Sequence, residues 1–405
     1  MVSATSVAIV VQKYGGSSVA DVEKLGAVAD KVVATKREGH DVVVVVSAMG
    51  KTTDTLLALA KQVDESPPRR ELDMLLTTGE RVSMALLSMA IQKRGEAAIS
   101  FTGSQSGIIT NDRHFDARII EVRPHRIEDE LSRGRIVIVA GYQGMSYRRE
   151  ITTLGRGGSD TTAIALAAAL GAERAEIYSD VDGVYTADPR VVPGARHLPS
   201  LSYQTMHDMA EVGAKVLNQT AVETARKAGI AIHARASFAP GKETVVRAGV
   251  GLGVRTVVGQ RGVVRARLVG DGELRRTLTL LAEASVPARD VALDGPQVTL
   301  TIPTQLTPDW AKVEAAIRAS CVAPVFEPVA SVSVVASSEE DREHAGAATE
   351  ILPRASDALT GVGVSPLAVT ATGSRISFLV TEAQLDDCVR ALHAAFLPDP
   401  IVHDV

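Results

Sequence analysis

Lys13 closes an apolar run and is followed at once by Tyr14-Gly15-Gly16-Ser17-Ser18. Paired glycines let backbone N–H groups come close to an anion, the hydroxyls add donors, and the lysine supplies a point charge. A tight turn accounts for the glycines alone; the lysine and both hydroxyls weigh the segment toward anion binding. A second hydroxyl-rich turn, Ser47-Ala48-Met49-Gly50-Lys51-Thr52-Thr53-Asp54, follows the valine run 42–46. Its Gly50-Lys51-Thr52 resembles the end of a P-loop, but the position that needs the first glycine is Val45, so no P-loop forms there. What remains is a turn into a helix, suited to plain capping or to holding a carboxylate or phosphate at the helix start.

The most informative stretch is Thr152-Thr153-Leu154-Gly155-Arg156-Gly157-Gly158-Ser159-Asp160-Thr161-Thr162. Ser159 or Asp160 can cap the alanine-rich helix that follows. Arg156, set between glycines with nothing to pack its stem, is placed to offer a bidentate fork to a planar carboxylate. Downstream, Ser179-Asp180-Val181-Asp182-Gly183-Val184-Tyr185-Thr186-Ala187-Asp188-Pro189-Arg190 reads equally as a β-turn at Asp182-Gly183 and as a ribose and adenine edge with an arginine near phosphates. Lys215 stands out by scarcity, since no lysine lies between it and Lys93. It follows Gly213-Ala214 and reads as a cation reaching a phosphate or as a solvated helix-face lysine.

The elements that must carry these loops are short apolar runs at 7–11, 42–46, 136–140 and 175–178, separated by helix-period segments at 22–36, 55–63, 80–93 and 161–170. Continuous rather than alternating apolar strands predict a buried, mainly parallel sheet covered on both faces, a three-layer α/β sandwich. Ligands of such sheets bind outside the strand carboxyl ends, where the Gly/Ser clusters fall. Near Gly251 the pattern changes to two β-α-β-β-α-β sets of ferredoxin-like type, at about 260–328 and 329–405. The first has strand 264–269, helix 273–283, strands near Val291 and at 298–302, and helix 309–319. The second has strand 331–336, a helix within 344–359 that Pro353 interrupts or kinks, strands near Leu367 and at 376–380, helix 382–396 and a closing strand 401–405. Residues 1–250 thus read as one domain and 251–405 as a tandem pair, either consecutive or intertwined. Lys312 is the only lysine after Lys242, so chemistry needing a mobile ammonium belongs to the first part.

Composition narrows the function classes. The 405 residues are 45% hydrophobic and 22% charged, the balance of a globular chain of two or three domains. Aromatics are 3% and the net charge is −5, which disfavours stacking on single strands and a general nucleic-acid footprint. Cys321 and Cys388 are too few for a disulfide framework or a cysteine-rich zinc site. The longest apolar runs are strand-sized, so no membrane span is expected and the cytoplasm is the default location.

The blocks KYGGSS, VVVVSAMGKTTD, LLTTGERVS, FTGSQSGIIT, RHFDARI, VAGYQGM, TTLGRGGSDTTA, YSDVDGVYTADPR and VGAKVL, in this order, resemble the aspartate kinases of the amino-acid kinase family. The resemblance covers nearly the whole chain. It implies the amino-acid kinase sandwich followed by two ACT-type domains, and ATP-dependent phosphorylation of the L-aspartate side chain to 4-phospho-L-aspartate. That is the first step toward lysine, threonine and methionine. It further implies that Lys13, with Gly15, Gly16 and Ser17, meets the phosphates, and that Ser179, Asp180, Tyr185, Arg190 and Lys215 bind ATP. Arg156 would hold the aspartate α-carboxylate and Glu80 its ammonium, with Ser47, Thr53 and Ser159 completing the pocket and Asp160 near the transfer site. Mg²⁺ would ride on ATP without direct protein ligands, and the ACT-type region would build a homodimer or larger homo-oligomer. A carboxylate nucleophile of pKa about 3.9 is ionised at neutral pH and needs no general base.

The match weakens in the second part. Val269-Gly270-Asp271-Gly272-Glu273 stands where the family has a D-x-P-G turn, 288–295 lacks the amide-bearing ligand loop, and Glu339, Glu340, Asp341 and Glu343 load the last loop with negative charge. The expectation is a scaffold kept for dimerisation with weak or no inhibition by lysine or threonine, a copy serving specialised metabolism. Asn218 is read as lying in the helix after Lys215. Competing readings are a kinase for another acidic amino acid and a non-catalytic ACT-type sensor.

Overall fold

Asp41–Val46 carries consecutive valines, all buried. A strand so composed needs cover on both faces, which a parallel sheet between helices provides. The computed structural model describes residues 7–155, 157–239, 241–249, 253–307, 309–337 and 347–398. Two compact units emerge: one holds the chain up to Val184 with His197–His207 and Lys215–Val250, the other Tyr185–Arg196, Asp208–Ala214 and the chain from Gly251.

In the first unit an eight-stranded sheet runs Ser200–Leu201, Glu243–Val246, Ala231–Ala236, Arg174–Ser179, Ile9–Tyr14, Asp41–Val46, Ile136–Ala140, Ala98–Phe101. Every neighbour is parallel except the pair Ala231–Ala236 and Glu243–Val246. Helices Val22–Arg37 and Thr78–Gln92 cover one face, where Leu25, Val28, Val32, Leu87 and Ile91 cluster with Val42, Val44, Val46, Ile136 and Ile138. Gly158–Leu170 lies on Ile9–Tyr14, Asp41–Val46 and Arg174–Ser179, its small Ala163, Ala165 and Ala167 buried. Tyr14 pairs with both Val46 and Tyr178, and Val46 with Ala140. These strands therefore end at one level, and the turns starting at Gly15, Ser47, Gly141 and Ser179 leave from a common edge.

The expected α/β class and the expected strands and helices of this unit are present, with shifted ends. The helix read at 161–170 begins at Gly158, with Gly157 as its N-cap and no side-chain cap bond, so neither Ser159 nor Asp160 caps it. Arg69–Leu76 leads straight into Thr78–Gln92, and Arg69–Gln92, at 24 residues, is long and apolar enough by composition to cross a membrane, longer than the strand-sized runs read from sequence. Its Leu72, Leu76, Leu87 and Ile91 are buried in the unit's interior. A four-stranded sheet, Ile119–Val122, Ile108–Thr110, Gln143–Ser146 and Ile151–Thr153, escaped the sequence reading because strands of three or four residues leave too little periodicity.

In the second unit both ferredoxin-like sets share one six-stranded antiparallel sheet, ordered Arg289–Asp294, Gln297–Pro303, Gly253–Val269, Val325–Ser337, Arg375–Val380, Ala368–Ala371. The long strands Gly253–Val269 and Val325–Ser337 each serve both sets. Gly253–Gln260 pairs with Ser331–Ser337, and after a register shift Val263–Arg267 pairs with Val325–Val329. Expected closing strand 401–405 and the acidic stretch 338–346 lie outside the described residues. Helices Asp271–Glu283 and Trp310–Ser320 build one core with Leu268, Leu300 and Ile302, and Leu385–Phe396 builds another with Val332, Val334, Ile376 and Phe378. Ala347–Gly361 runs through Pro353 without ending there, held by buried Ala355 and Leu359.

Beneath the first unit's sheet a charged network joins neighbouring strands. Glu176, 1% exposed, meets Arg174 and Arg235 at 2.8 Å each and accepts from Gln12 at 2.9 Å and from the Tyr178 hydroxyl at 3.0 Å. Tyr14 stacks on Tyr178, ring centres 4.7 Å apart. Burial alone would raise the Glu176 pKa, but the Arg235 charge and the Arg174 and Gln12 hydrogen bonds outweigh it and hold the carboxyl below its ordinary 4.5. A depressed carboxylate gives stability that is complete above the ordinary value and is lost as pH falls through the folded one. Glu176→Gln is expected to cost about 3–5 kcal/mol at pH 7 and to flatten the acid limb of the denaturation profile, read by chemical unfolding at several pH values.

Candidate active site

The end of Ile9–Tyr14 delivers Lys13, and the first turn of Gly158–Leu170 delivers Asp160. Lys13 Nζ and Asp160 Oδ1 are 2.7 Å apart, each side chain 11% exposed. Desolvating such a pair is costly, so neighbouring dipoles must contribute, and the N-terminus of Gly158–Leu170 supplies one. Ser159, beside Asp160, accepts from the Ser47 hydroxyl at 3.0 Å, which joins the second loop to the third. The first two loops touch through backbone: Gly50 N–H donates to the Gly16 carbonyl at 3.0 Å, and a Cβ on Gly16 would stand 2.8 Å from the Ala48 carbonyl oxygen.

Glu80, in the first turn of Thr78–Gln92, bonds to the second loop. It is 3% exposed, its Oε1 accepts from Ala48 N–H at 3.1 Å, and its Oε2 is buried without a hydrogen-bond partner. Burial, only partly opposed by backbone hydrogen bonds, pushes this carboxyl up to about 7. An unsatisfied buried carboxylate oxygen is held at a cost unless a cationic ligand arrives to meet it.

The structure thus brings Lys13, Gly15, Gly16, Ser47, Glu80, Ser159 and Asp160 to one group of loops. Ser17 is exposed in the same loop, and Thr53 is half-buried at the start of Thr52–Val63. Ser179 ends the neighbouring strand and Asp180 follows it: Gly15 N–H donates to the Tyr178 carbonyl at 3.1 Å, and Asp180 is exposed. Lys215 is exposed in the irregular connection before Gln219–Ala228 rather than on a helix face, and Asn218 is not inside a helix but is the N-cap of Gln219–Ala228, accepting from Thr220 and Ala221 N–H. Tyr185 and Arg190 belong to the second unit, where the Arg190 guanidinium folds onto Asp188 at 2.7 Å. Arg156 lies outside the described residues.

Ser237 went unread in the sequence. Its hydroxyl is 2.5 Å from that of Ser18 and 3.0 Å from the Ser179 carbonyl, and its own carbonyl accepts from Lys31 at 2.8 Å. It ties the first loop to the end of the next strand, and only its place after the apolar strand Ala231–Ala236 could have drawn attention to it.

A parallel sheet whose strand ends gather glycine turns, a lysine and a helix N-terminus is an anion-handling α/β fold. The family profile described as the amino acid kinase family matches residues 8–235, and the chain belongs to that family. Within it the relatives are aspartokinases: the chain is 44% identical over 411 residues to the aspartokinase of Mycolicibacterium smegmatis, covering 96% of each. A solved aspartate kinase from Synechocystis is 35% identical with a TM-score of 0.55, over 96% of this chain and 69% of that one. The fold is also shared with E. coli aspartokinase III in complex with aspartate and ADP (R-state), at a TM-score of 0.80 and 24% identity over 96% of this chain and 99% of that one.

Gly157 is where the site tolerates least. Its φ is 72°, and a Cβ there would stand 2.5 Å from the Asn218 side chain. Gly157→Ala is expected to lower stability by about 1–3 kcal/mol and to depress turnover beyond what a thermal melt accounts for, because it moves the helix start that carries Ser159 and Asp160.

Proposed function

We propose that the chain transfers the γ-phosphoryl group of ATP to the side-chain carboxylate of L-aspartate, giving 4-phospho-L-aspartate and ADP. The observation that carries this reading is Glu80, whose Oε2 is buried and unpartnered while its Oε1 holds the Ala48 amide of the loop that bonds to both the Gly16 turn and Ser159. An α-amino acid brings the ammonium that would satisfy it. Its side-chain carboxylate then points at the phosphoryl group and attacks without a base, because it is already ionised. Both reactants are anions, so positioning and charge compensation are the main tasks. Lys13 offsets charge on the transferring group, and Asp160 fixes the Lys13 ammonium at the strand end. Gly15, Gly16 and Ser17 offer close backbone and hydroxyl donors to phosphate, Ser179, Asp180 and Lys215 hold the nucleotide, and Ser47, Thr53, Arg156 and Ser159 hold the acceptor.

Mg²⁺ fits this site as a companion of the triphosphate rather than a resident ion, because the carboxylate of Asp160 is already paired with Lys13. When bound it adds charge neutralisation to the phosphates. A homodimer through the second unit is also proposed: the sheet's edge strands expose Val291 and Leu293 on one side and Val369 on the other, surfaces that edge pairing would cover. The departures at 270–273 and 288–295 support a further proposal, that lysine and threonine inhibit weakly or not at all.

ADP release should depend on aspartate, fall to background with glutamate, and yield a hydroxamate when hydroxylamine traps the acyl phosphate; no hydroxamate would overturn a carboxylate acceptor. Lys13→Met should lower kcat about a hundredfold or more, with a lowered melting midpoint because Asp160 is left without its buried partner, and the folded fraction at the assay temperature, checked by circular dichroism, should not account for the loss. Because the carboxylate form of Glu80 must meet the ammonium, kcat/KM for aspartate should fall as pH drops through 7. Glu80→Gln should be weaker throughout and lack that limb. Adding lysine and threonine together should change the rate by less than about twofold, below the usual range of allosteric coupling.

A further inference from the structure

The first unit buries one more carboxylate that the reaction above does not use. Asp73, in Arg69–Leu76, has no exposed surface, and both of its oxygens are engaged. The Thr153 hydroxyl donates to Oδ1 at 2.6 Å, His114 Nδ1 lies 2.7 Å from Oδ2, and Phe115 N–H reaches both oxygens at 3.1 and 3.2 Å. Buried ionisable groups are kept only where such partners surround them, and removing one partner leaves the rest unsatisfied.

Those partners come from separate pieces of chain. His114 and Phe115 sit in the loop between Ile108–Thr110 and Ile119–Val122. That loop is closed at its base by Asn111, whose side-chain oxygen accepts from Arg113 and Arg118 N–H at 3.3 and 3.1 Å. Phe115 has a φ of 72°, a left-handed conformation that a bulky residue adopts only when its surroundings impose it. In that conformation its N–H bonds to Asp73. Thr153 ends Ile151–Thr153, and its carbonyl accepts from Ala117 N–H at 2.8 Å, a second tie between strand and loop.

The consequence lies two residues on. A Cβ on Gly155 would stand 2.9 Å from Asp116 Oδ1 and 3.5 Å from the Phe115 carbonyl oxygen, so the loop packs directly against the backbone of Gly155. Gly155 opens the glycine turn that starts the helix bearing Ser159 and Asp160. Asp73 therefore grips the strand entering that turn and the loop that walls it.

We propose that Asp73 is a positioning residue: through His114, the Phe115 amide and Thr153 it sets the 113–118 loop against Gly155 and so fixes the turn that presents the acceptor-binding groups. The inference rests on the reading that this turn serves the acceptor amino acid. The nucleotide loops hang from other strand ends, so loosening the pin acts first on the acceptor and reaches the phosphates only through the Asp160–Lys13 pair.

The test is steady-state kinetics on Asp73→Asn, His114→Ala, His114→Asn and Thr153→Val, with aspartate and ATP varied separately and thermal midpoints measured alongside. His114→Ala and Thr153→Val should raise KM for aspartate about tenfold, the scale of one lost hydrogen bond to a charged group, with KM for ATP moving less than about twofold. In His114→Asn the side-chain amide can stand near the former Nδ1, so it should recover most of that loss. The His114 side chain is 20% exposed, so its variants keep the question open if Asp73→Asn does not fold. An unchanged aspartate KM in His114→Ala, equal rises for aspartate and ATP, or an asparagine variant no better than alanine would each overturn the pin. If the parent enzyme proves to phosphorylate a different acceptor, the functional reading fails while the same split, measured with that acceptor, still decides the role of Asp73.

Discussion

Lys13 and Asp160 meet at 2.7 Å with little exposure, and neither can be understood without the other. A lysine ammonium at the end of a buried parallel strand is expensive to desolvate, and a carboxylate in the first turn of an almost wholly buried helix is no cheaper. Their contact requires Ile9–Tyr14 to end level with its neighbours and Gly158–Leu170 to begin close above it. The first condition follows from the parallel register that aligns Tyr14, Val46 and Tyr178. The second follows from alanines that let the helix settle on the sheet and from a left-handed glycine that turns the chain into it. Apolar strands and small helical residues, unremarkable one by one, are what put the charged pair in place.

Around that pair the site is finished with backbone and hydroxyl groups rather than aromatic walls. Gly16 brings two loops within hydrogen-bond reach, Ser47 links to Ser159, and Ser237 links Ser18 to Ser179. Short side chains lose little rotamer entropy when fixed, so a small polar site of this kind can be rigid before ligand enters. Glu80 is the exception, a carboxylate with one oxygen left unsatisfied. Asp160 is buried too but meets Lys13, whereas Glu80 Oε2 has no hydrogen-bond partner, an environment that suits the ammonium of the proposed acceptor.

The second unit obeys a different logic. Its two ferredoxin-like sets are not beads on a string, because Gly253–Val269 and Val325–Ser337 each run through both. The register shift between Gln260 and Val263, with Gly262 at a φ of 66°, lets one strand leave the first pairing and enter the second. The cores around Leu300 and Phe378 are separate, yet the sheet beneath them is continuous. Sequence periodicity found the helices and most strands here and left intertwining open, but not which strands are shared, since hydropathy reports which residues are buried and not which strand they pair with.

The same boundary between pattern and convergence explains what was legible elsewhere. Lys13 and the glycine turns could be singled out because their type and neighbours are unusual along the chain, and the strands around them because apolar runs declare themselves, whereas Glu80 was indicated only by the family resemblance. The caps were misjudged: Ser159 and Asp160 are cap-forming types, but the left-handed Gly157 takes that place, and Asn218 caps a helix it was expected to sit inside. Asp73 and Ser237 left no local trace at all. An aspartate in an amphipathic helix is ordinary until His114, Phe115 and Thr153, 41 to 80 residues further along, all turn toward it. Residues of this kind hold loops through bonds to several distant partners, and no short window on the sequence contains such a residue together with any of its partners. The groups that touch ligand are therefore easier to read from a single sequence than the groups that hold them still, although the geometry of the first depends on the second.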